Sequence, residues 1–332
     1  MRQIRLHPDM HILIVNRSPI PVFGYGGTER VIWDLGRALV QAGHRVSYLV
    51  PKGSHCEFAS ILTLRENVPW EEQVPDGIDI VHFQFNPGTH VAIPHLMTQH
   101  GNSRESVALP LNTVFVSRDH ARRHGSDSFV YNGLDWSAYG AVDWQRPRSH
   151  FHFLGKAAWR VKNVRGAIDI AHDAGVPLAV LGGDRLNLKR GFRFTWSRTV
   201  SFHGMVGGSE KIRLLNASCG LIFPVLWHEP FGLAVIESLY FGMPAFATPY
   251  GALPEIITPE CGALSTSRSA LAQAVASGRY DQHACHARAL SFDATAMARN
   301  YLAVYGRIGQ GETLHAEPPV LKGEVKKLPW NA

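Results

Sequence analysis

The sequence predicts an α/β protein of two doubly wound, Rossmann-like domains, each built on a parallel sheet. Three observations carry that expectation. The chain has 332 residues, too many for one ordinary core and enough for two domains of about 150 residues each. Short apolar runs alternate with segments of helical periodicity, the order from which parallel sheets are built. The alternation then restarts after the polar stretch Asp143 to Ser149.

The elements follow in order. His11-Ile12-Leu13-Ile14-Val15 has the pattern of a buried strand. Beyond a Pro/Gly-rich loop, Ser18 to Gly27, the segment Thr28 to Gln41 puts Val31, Ile32, Leu35 and Leu39 on one helical face, and Ala42-Gly43 ends it. Arg45 to Val50, Ile78 to Phe83 and Thr113 to Ser117 are the next strands. In the second half, strands are expected at His150 to Gly155, Pro177 to Gly183, Gly220 to Pro224 and Pro244 to Thr248. Helices are expected at Val164 to Ala174, Glu210 to Ala217 and Phe231 to Phe241. The domains then run over 10–147 and 148–290. A C-terminal helix over 291–308 packs back on the first domain, and the polar tail 309–332 is extended or disordered. Two such domains face each other across a cleft, the default ligand site.

Composition narrows the function classes. Hydrophobic residues make up 45% and charged residues 18%, the balance of a globular protein. No window approaches the roughly 18 consecutive apolar residues of a membrane helix. The basic start, Met1 to Pro8, is not followed by an apolar signal region. The expected location is cytoplasmic, with the inner membrane surface left open. The four cysteines (Cys56, Cys219, Cys261, Cys285) form no C-x-x-C pair. His283-Ala284-Cys285-His286 is an accidental cluster in a chain of 18 histidines. The net charge of +6 favours phosphate-bearing ligands without choosing among them. No basic stripe interleaved with aromatics and no helix-turn-helix or zinc-finger spacing points to nucleic acid. Gly24-Tyr25-Gly26-Gly27 is no dinucleotide fingerprint, because Glu29 stands where the third glycine is required.

The segment richest in chemistry is His228-Glu229-Pro230-Phe231-Gly232-Leu233-Ala234-Val235-Ile236-Glu237. Glu229 lies in the loop after a strand, and Glu237 is expected two turns inside the following helix. Pro230 and Gly232 shape a helix entrance whose unpaired N–H groups and dipole attract phosphate or hydroxyl oxygens. Two carboxylates beside it can accept hydrogen bonds from vicinal sugar hydroxyls. Taken alone, Glu237 reads as a solvated helix residue.

Glu229 to Glu237, with its embedded E-P-F-G-L, resembles the E-x7-E signature of the family-4 retaining glycosyltransferases of GT-B fold. Other stretches agree in order: Gly26-Gly27-Thr28-Glu29-Arg30, Gly43-His44-Arg45-Val46, Thr98-Gln99-His100-Gly101, Asn132-Gly133-Leu134-Asp135, Gly242-Met243-Pro244 and Gly251 to Ile256. The match covers about residues 10 to 305. The resemblance implies an acceptor-side first domain, a second domain for the nucleotide-sugar donor, and retention of anomeric configuration. Its basic pair G-R-x(4–5)-K corresponds to Gly155-Lys156-Ala157-Ala158-Trp159-Arg160-Val161-Lys162, with Lys156 at the arginine position and Arg160 nearby. Lys156, Arg160 and Lys162, the Gly26-Gly27 amides and the entrance at Phe231, Gly232 and Leu233 would bind the donor. Glu237 would hold the nucleotide ribose. Glu229, His100 and Lys162 would act on the reacting sugar, and His228 is a weaker candidate for the same cleft.

No D-x-D triplet occurs, so neither a metal nor a cofactor is expected; the nucleoside-diphosphate sugar is a substrate. The acceptor is open among sugar, lipid and small molecule, and peripheral membrane contact remains an alternative. Oligomeric state, donor base and linkage are not legible. The rival readings are an epimerase- or phosphorylase-type GT-B protein and a nucleotide-sugar binder without transferase activity.

Overall fold

The computed structural model describes residues 9–21, 26–88, 91–104, 106–188, 192–323 and 328–331. The basic start, Gly24-Tyr25 of the glycine loop and parts of the tail lie outside them. The chain divides into two compact units. Of the described residues, those within 9–136 and 292–323 form one, and those within 137–291 and 328–331 form the other.

In the first unit, β1 (His11–Val15), α1 (Gly27–Gln41), β2 (Arg45–Val50), β3 (Ser60–Thr63), β4 (Ile80–Phe83), β5 (His95–Gln99), β6 (Thr113–Phe115) and α2 (Arg118–Arg123) follow in order. The strands form one parallel sheet ordered β3-β2-β1-β4-β5-β6. Its centre is β1, whose Ile12 to Val15 are fully buried and pair with β2 on one side and β4 on the other. That explains a near-continuous apolar run where a half-exposed strand would alternate. The edge strand β3 reads SILT, with polar ends exposed, and so carries little signal in the sequence.

The second unit repeats the plan. It contains β7 (His150–Leu154), α3 (Val164–Asp173), β8 (Leu178–Leu181), the short strands β9 (Leu186–Asn187) and β10 (Arg193–Phe194), and β11 (Val200–Phe202). Then come α4 (Gly208–Asn216), β12 (Ser218–Phe223), α5 (Leu233–Tyr240), β13 (Ala245–Ala247), α6 (Leu253–Ile256), β14 (Gly262–Leu264), α7 (Arg268–Ser277) and α8 (Gln282–Leu290). The parallel sheet is ordered β11-β8-β7-β12-β13-β14, the same permutation as in the first unit. In each sheet the order reverses beside the first strand, between β1 and β4 and between β7 and β12. Such switch points open the crevice in which doubly wound sheets bind ligands.

The last helix, α9 (Ala294–Gly309), belongs to the first unit and packs against α1. A buried polar chain fixes it there: Tyr305 bonds His82 at 2.8 Å, His82 bonds Thr98 at 2.7 Å, and Thr98 bonds Tyr301 at 2.8 Å. Every member has a partner, so burial carries no unsatisfied group. The following segment is extended rather than helical. Leu109 N bonds Pro319 O, and Lys322 N bonds Arg123 O.

Two sequence expectations shift. The unit boundary falls between Trp136 and Ser137, earlier than residue 148, because the hydroxyls of Tyr139 and Tyr240 tie residues 139–140 to α5. The helix expected from Phe231 begins at Leu233, since Gly232 holds a left-handed φ of 111° as its N-cap. Glu237 therefore lies little more than one turn inside the helix, not two.

Candidate functional site

The second unit's switch point is built from the loops after β7 and β12. The first carries Gly155 to Trp159 and a 3-10 turn, Arg160–Lys162. Asn163 then takes a left-handed conformation (φ 52°) and caps α3, its side chain accepting from Gly166 N. The same side chain donates to Pro224 O at 2.9 Å, and Leu226 N donates to Val161 O at 2.7 Å. Both loops are thus tied together by one side-chain and one backbone hydrogen bond, independently of any charge.

Lys162 and Glu229 meet across that tie. Nζ lies 2.6 Å from Glu229 Oε2, and both residues are buried. Trp227 Nε1 donates to the same carboxylate oxygen at 2.7 Å. The ammonium also sits 4.6 Å from the Trp227 ring centroid and 5.1 Å from that of Phe223, so its aromatic walls favour the cation. Burying two charges costs several kcal/mol of desolvation per ion before their attraction is counted. A pair in that position is therefore poor value for stability alone.

Glu229 is also fixed through its backbone. Ala252 N donates to Glu229 O at 2.9 Å, and Glu229 forms an isolated bridge with Gly251. Gly251 has φ 67°, and a Cβ there would fall 2.2 Å from the Glu229 carbonyl oxygen. Only glycine satisfies both the sign of φ and that close approach.

Glu237, on α5, is buried too, and it is not the solvated residue its position suggests. Lys211 Nζ, from α4, lies 2.5 Å from Oε1, and the Tyr139 hydroxyl donates to the same oxygen. Among the other expected donor ligands, Lys156 is half-buried with Nζ 5.1 Å from the Trp159 ring centroid, and Arg160 is exposed. The Phe231 side chain is buried in the core; contact at the helix entrance is left to the backbone there.

Gly26, Gly27 and His100 belong to the first unit. Gly26 is the N-cap of α1 and Gly27 its first residue. His100 Nε2 bonds Gln84 Oε1 at 2.8 Å, and burial pushes its pKa down to about 4. At neutral pH it is an uncharged hydrogen-bonding group. Among the described residues, no group of three or more His, Cys, Asp or Glu side chains could hold a metal ion.

Sequence reasoning missed Trp227, Lys211 and Tyr139. Trp227 stands two residues before Glu229, and an indole beside a carboxylate-bearing loop is a readable signal. Lys211 gave none, because its partner lies 26 positions away on another helix.

Residues 143–278 match the family model described as glycosyl transferases group 1. That match lies within the second unit. The whole chain shares the two-domain α/β fold of solved glycosyltransferases. AviGT4, a glycosyltransferase involved in avilamycin A biosynthesis, superposes with a TM-score of 0.73 at 20% identity, over 92% of this chain and 99% of that one. Anabaena HepE, in complex with UDP and glucose, superposes with a TM-score of 0.64 at 14% identity, over 88% and 98%.

By sequence, the chain is similar to a GDP-mannose-dependent alpha-(1-6)-phosphatidylinositol dimannoside mannosyltransferase of Mycobacterium tuberculosis. It is 36% identical over 105 residues, which are 31% of this chain and 28% of that protein. D-rhamnosyltransferase WbpZ of Pseudomonas aeruginosa is 25% identical over 279 residues, 73% of this chain and 69% of WbpZ. The chain thus matches little more than a quarter of the length of the mycobacterial protein.

Proposed function

We propose that the protein is a retaining, metal-independent glycosyltransferase that moves a sugar from a nucleoside-diphosphate donor to a hydroxyl acceptor. The observation that carries this reading is the buried Lys162–Glu229 pair at the switch point of the transferase domain. Lys162, with Lys156 and Arg160 nearby in sequence, would meet the diphosphate; Glu229 would accept hydrogen bonds from hydroxyls of the transferred sugar. Glu237, positioned by Lys211 and Tyr139, would bind the nucleotide ribose. The amides at Gly232 and Leu233 would add a helix N-terminus to the anion site.

In this reading the bond between the anomeric carbon and the diphosphate oxygen breaks first. Negative charge grows on the departing diphosphate, where fixed positive charge lowers the barrier most. The acceptor oxygen then bonds the anomeric carbon from the same face, and its proton passes to the leaving phosphate oxygen. Configuration is retained without a covalent enzyme intermediate. His100, uncharged at neutral pH, is the first unit's candidate for contact with substrate.

Relatives favour a hexose donor: one is described as GDP-mannose-dependent and another as a D-rhamnosyltransferase. The test is a thermal-shift panel of GDP, UDP and ADP, followed by calorimetry on the best ligand. A nucleotide that binds only the folded chain raises the melting temperature by mass action. Lys162→Ala should weaken its binding by about 1.5–3 kcal/mol, the scale of a charge-assisted hydrogen bond. An affinity equal to wild type would remove Lys162 from the diphosphate site. Donor turnover assayed with and without acceptor separates a transferase from an epimerase, which needs none.

A further inference from the structure

The insertion between β8 and β11 bears an apolar surface for which the transferase reading has no use. β9 and β10 pair antiparallel, with Phe194 opposite Leu186. Leu186 and Phe194, being paired, lie on one face, flanked in sequence by Leu188, Phe192 and Trp196. All five are exposed, Phe192 to 76% and Trp196 to 89%, and the Phe194 and Trp196 rings lie 5.4 Å apart. The hairpin is nevertheless pinned at its base. Arg185 donates to the carbonyls of Thr195, Ser197 and Val200 at 2.7–2.8 Å, and Thr195 is buried. A group of exposed apolar side chains on a pinned hairpin marks an interaction surface rather than an unfinished core.

We infer that this hairpin docks the protein on an anionic lipid surface, its exposed apolar side chains entering the interfacial layer and the segment's net positive charge drawing it to the headgroups. Charge selects that occupant. Residues 184–198 contain Arg185, Lys189, Arg190, Arg193 and Arg198 against the single acid Asp184. A second copy of the same face would be repelled by that surplus, whereas an anionic bilayer attracts it. Trp and Phe beside basic residues suit the membrane–water interface. Leu186 and Leu188 offer nothing to the hydroxyls of an oligosaccharide, which argues against a sugar-stacking platform. No helix among the described residues is long and apolar enough to cross a membrane, so attachment would be peripheral. The hairpin leaves β8 beside the basic loop, since Ala157 N donates to Gly182 O at 2.9 Å. Docking here would bring the transferase domain's own loop close to lipid. The inference does not depend on the transferase activity.

The test is co-sedimentation of the full chain with vesicles of pure phosphatidylcholine and of phosphatidylcholine containing about 30% phosphatidylglycerol. Wild type should bind the anionic vesicles, less at high salt, and the exposed double variant F192S/W196S should bind them at least about tenfold more weakly. The variant's melting temperature and nucleoside-diphosphate affinity should equal those of wild type, which separates this inference from the proposed activity. Equal sedimentation of variant and wild type overturns it, as does no binding at any anionic fraction. A wild-type dimer that F192S/W196S dissociates would assign the face to a second copy and overturn it as well. So would retention on oligosaccharide, lost in the variant, without vesicle binding.

Discussion

Lys162 Nζ and Glu229 Oε2 stand 2.6 Å apart, one delivered by the loop after β7 and the other by the loop after β12. Each compensates the other's charge inside the fold, and each belongs to a loop that the other's loop holds in place. Under the proposed function, a phosphate-bearing sugar arriving there would meet an ammonium already desolvated and oriented, which is how fixed charge gains most in catalysis.

Replacing the carboxylate tests that arrangement. Glu229→Gln keeps the shape and should lower transfer by about 10²-fold or more, the scale of losing one oriented polar group at a reacting centre. Glu229→Ala should in addition destabilise the fold by about 3–5 kcal/mol, because it leaves a buried ammonium unpaired. Near-normal turnover by E229Q in a donor-consumption assay would remove Glu229 from the reaction.

Lys211 and Glu237 make a second buried pair, and its members should behave as one unit. Lys211→Met alone should cost about 3–5 kcal/mol in denaturant unfolding, since Glu237 loses its counter-charge. The double variant K211M/E237Q should recover much of that loss, while nucleotide affinity stays low. Additive effects in the cycle would mean the two residues do not act through each other.

Gly251 offers a way to disturb Glu229 without touching it. At φ 67°, Gly251→Ala should cost about 1 kcal/mol in backbone strain alone. Its new methyl must also push the Glu229 carbonyl away. Turnover should fall at least about tenfold, on the view that misplacement by an ångström costs that much or more. Far-ultraviolet circular dichroism should be unchanged. Wild-type turnover in G251A would show that the backbone position of Glu229 is not critical.

Acid should destabilise the protein through its buried histidines. Burial holds His82 and His152 down to about 3, and His100 down to about 4. These folded values lie below the unfolded value near 6.5. Their contribution is fully present above pH 6.5; below it the unfolded chain takes up protons that the folded chain refuses. Each such histidine then costs about 1.4 kcal/mol per pH unit until its folded pKa is reached. Urea unfolding between pH 7 and 4 should show this slope. His152→Gln should lower stability at pH 7, by removing the bonds to Ser218 and Ser238, yet make the slope shallower. An unchanged slope would rule out His152 as a contributor.

Much of the architecture was legible because its signals are local. The central strand β1 announces itself as an apolar run, β7 by aromatic residues alternating with histidines, and α1 and α3 by their spacing. The edge strands β3 and β11 were not legible, being short and partly polar. The hairpin β9–β10 escaped notice because an alternating apolar face reads alike whether it is covered or bare.

By itself the sequence determined that there are two doubly wound sheets, and that Lys162 and Glu229 follow the strands expected at His150 to Gly155 and Gly220 to Pro224. Periodicity and motif order are properties of neighbours along the chain, and they need no partner to be read. Only the tertiary structure decided that Lys162 meets Glu229, that Lys211 and Tyr139 claim Glu237, and that Phe231 turns into the core. Those choices depend on which groups burial brings together over 26 to 98 positions of separation. A buried charge must find its partner wherever the fold supplies one.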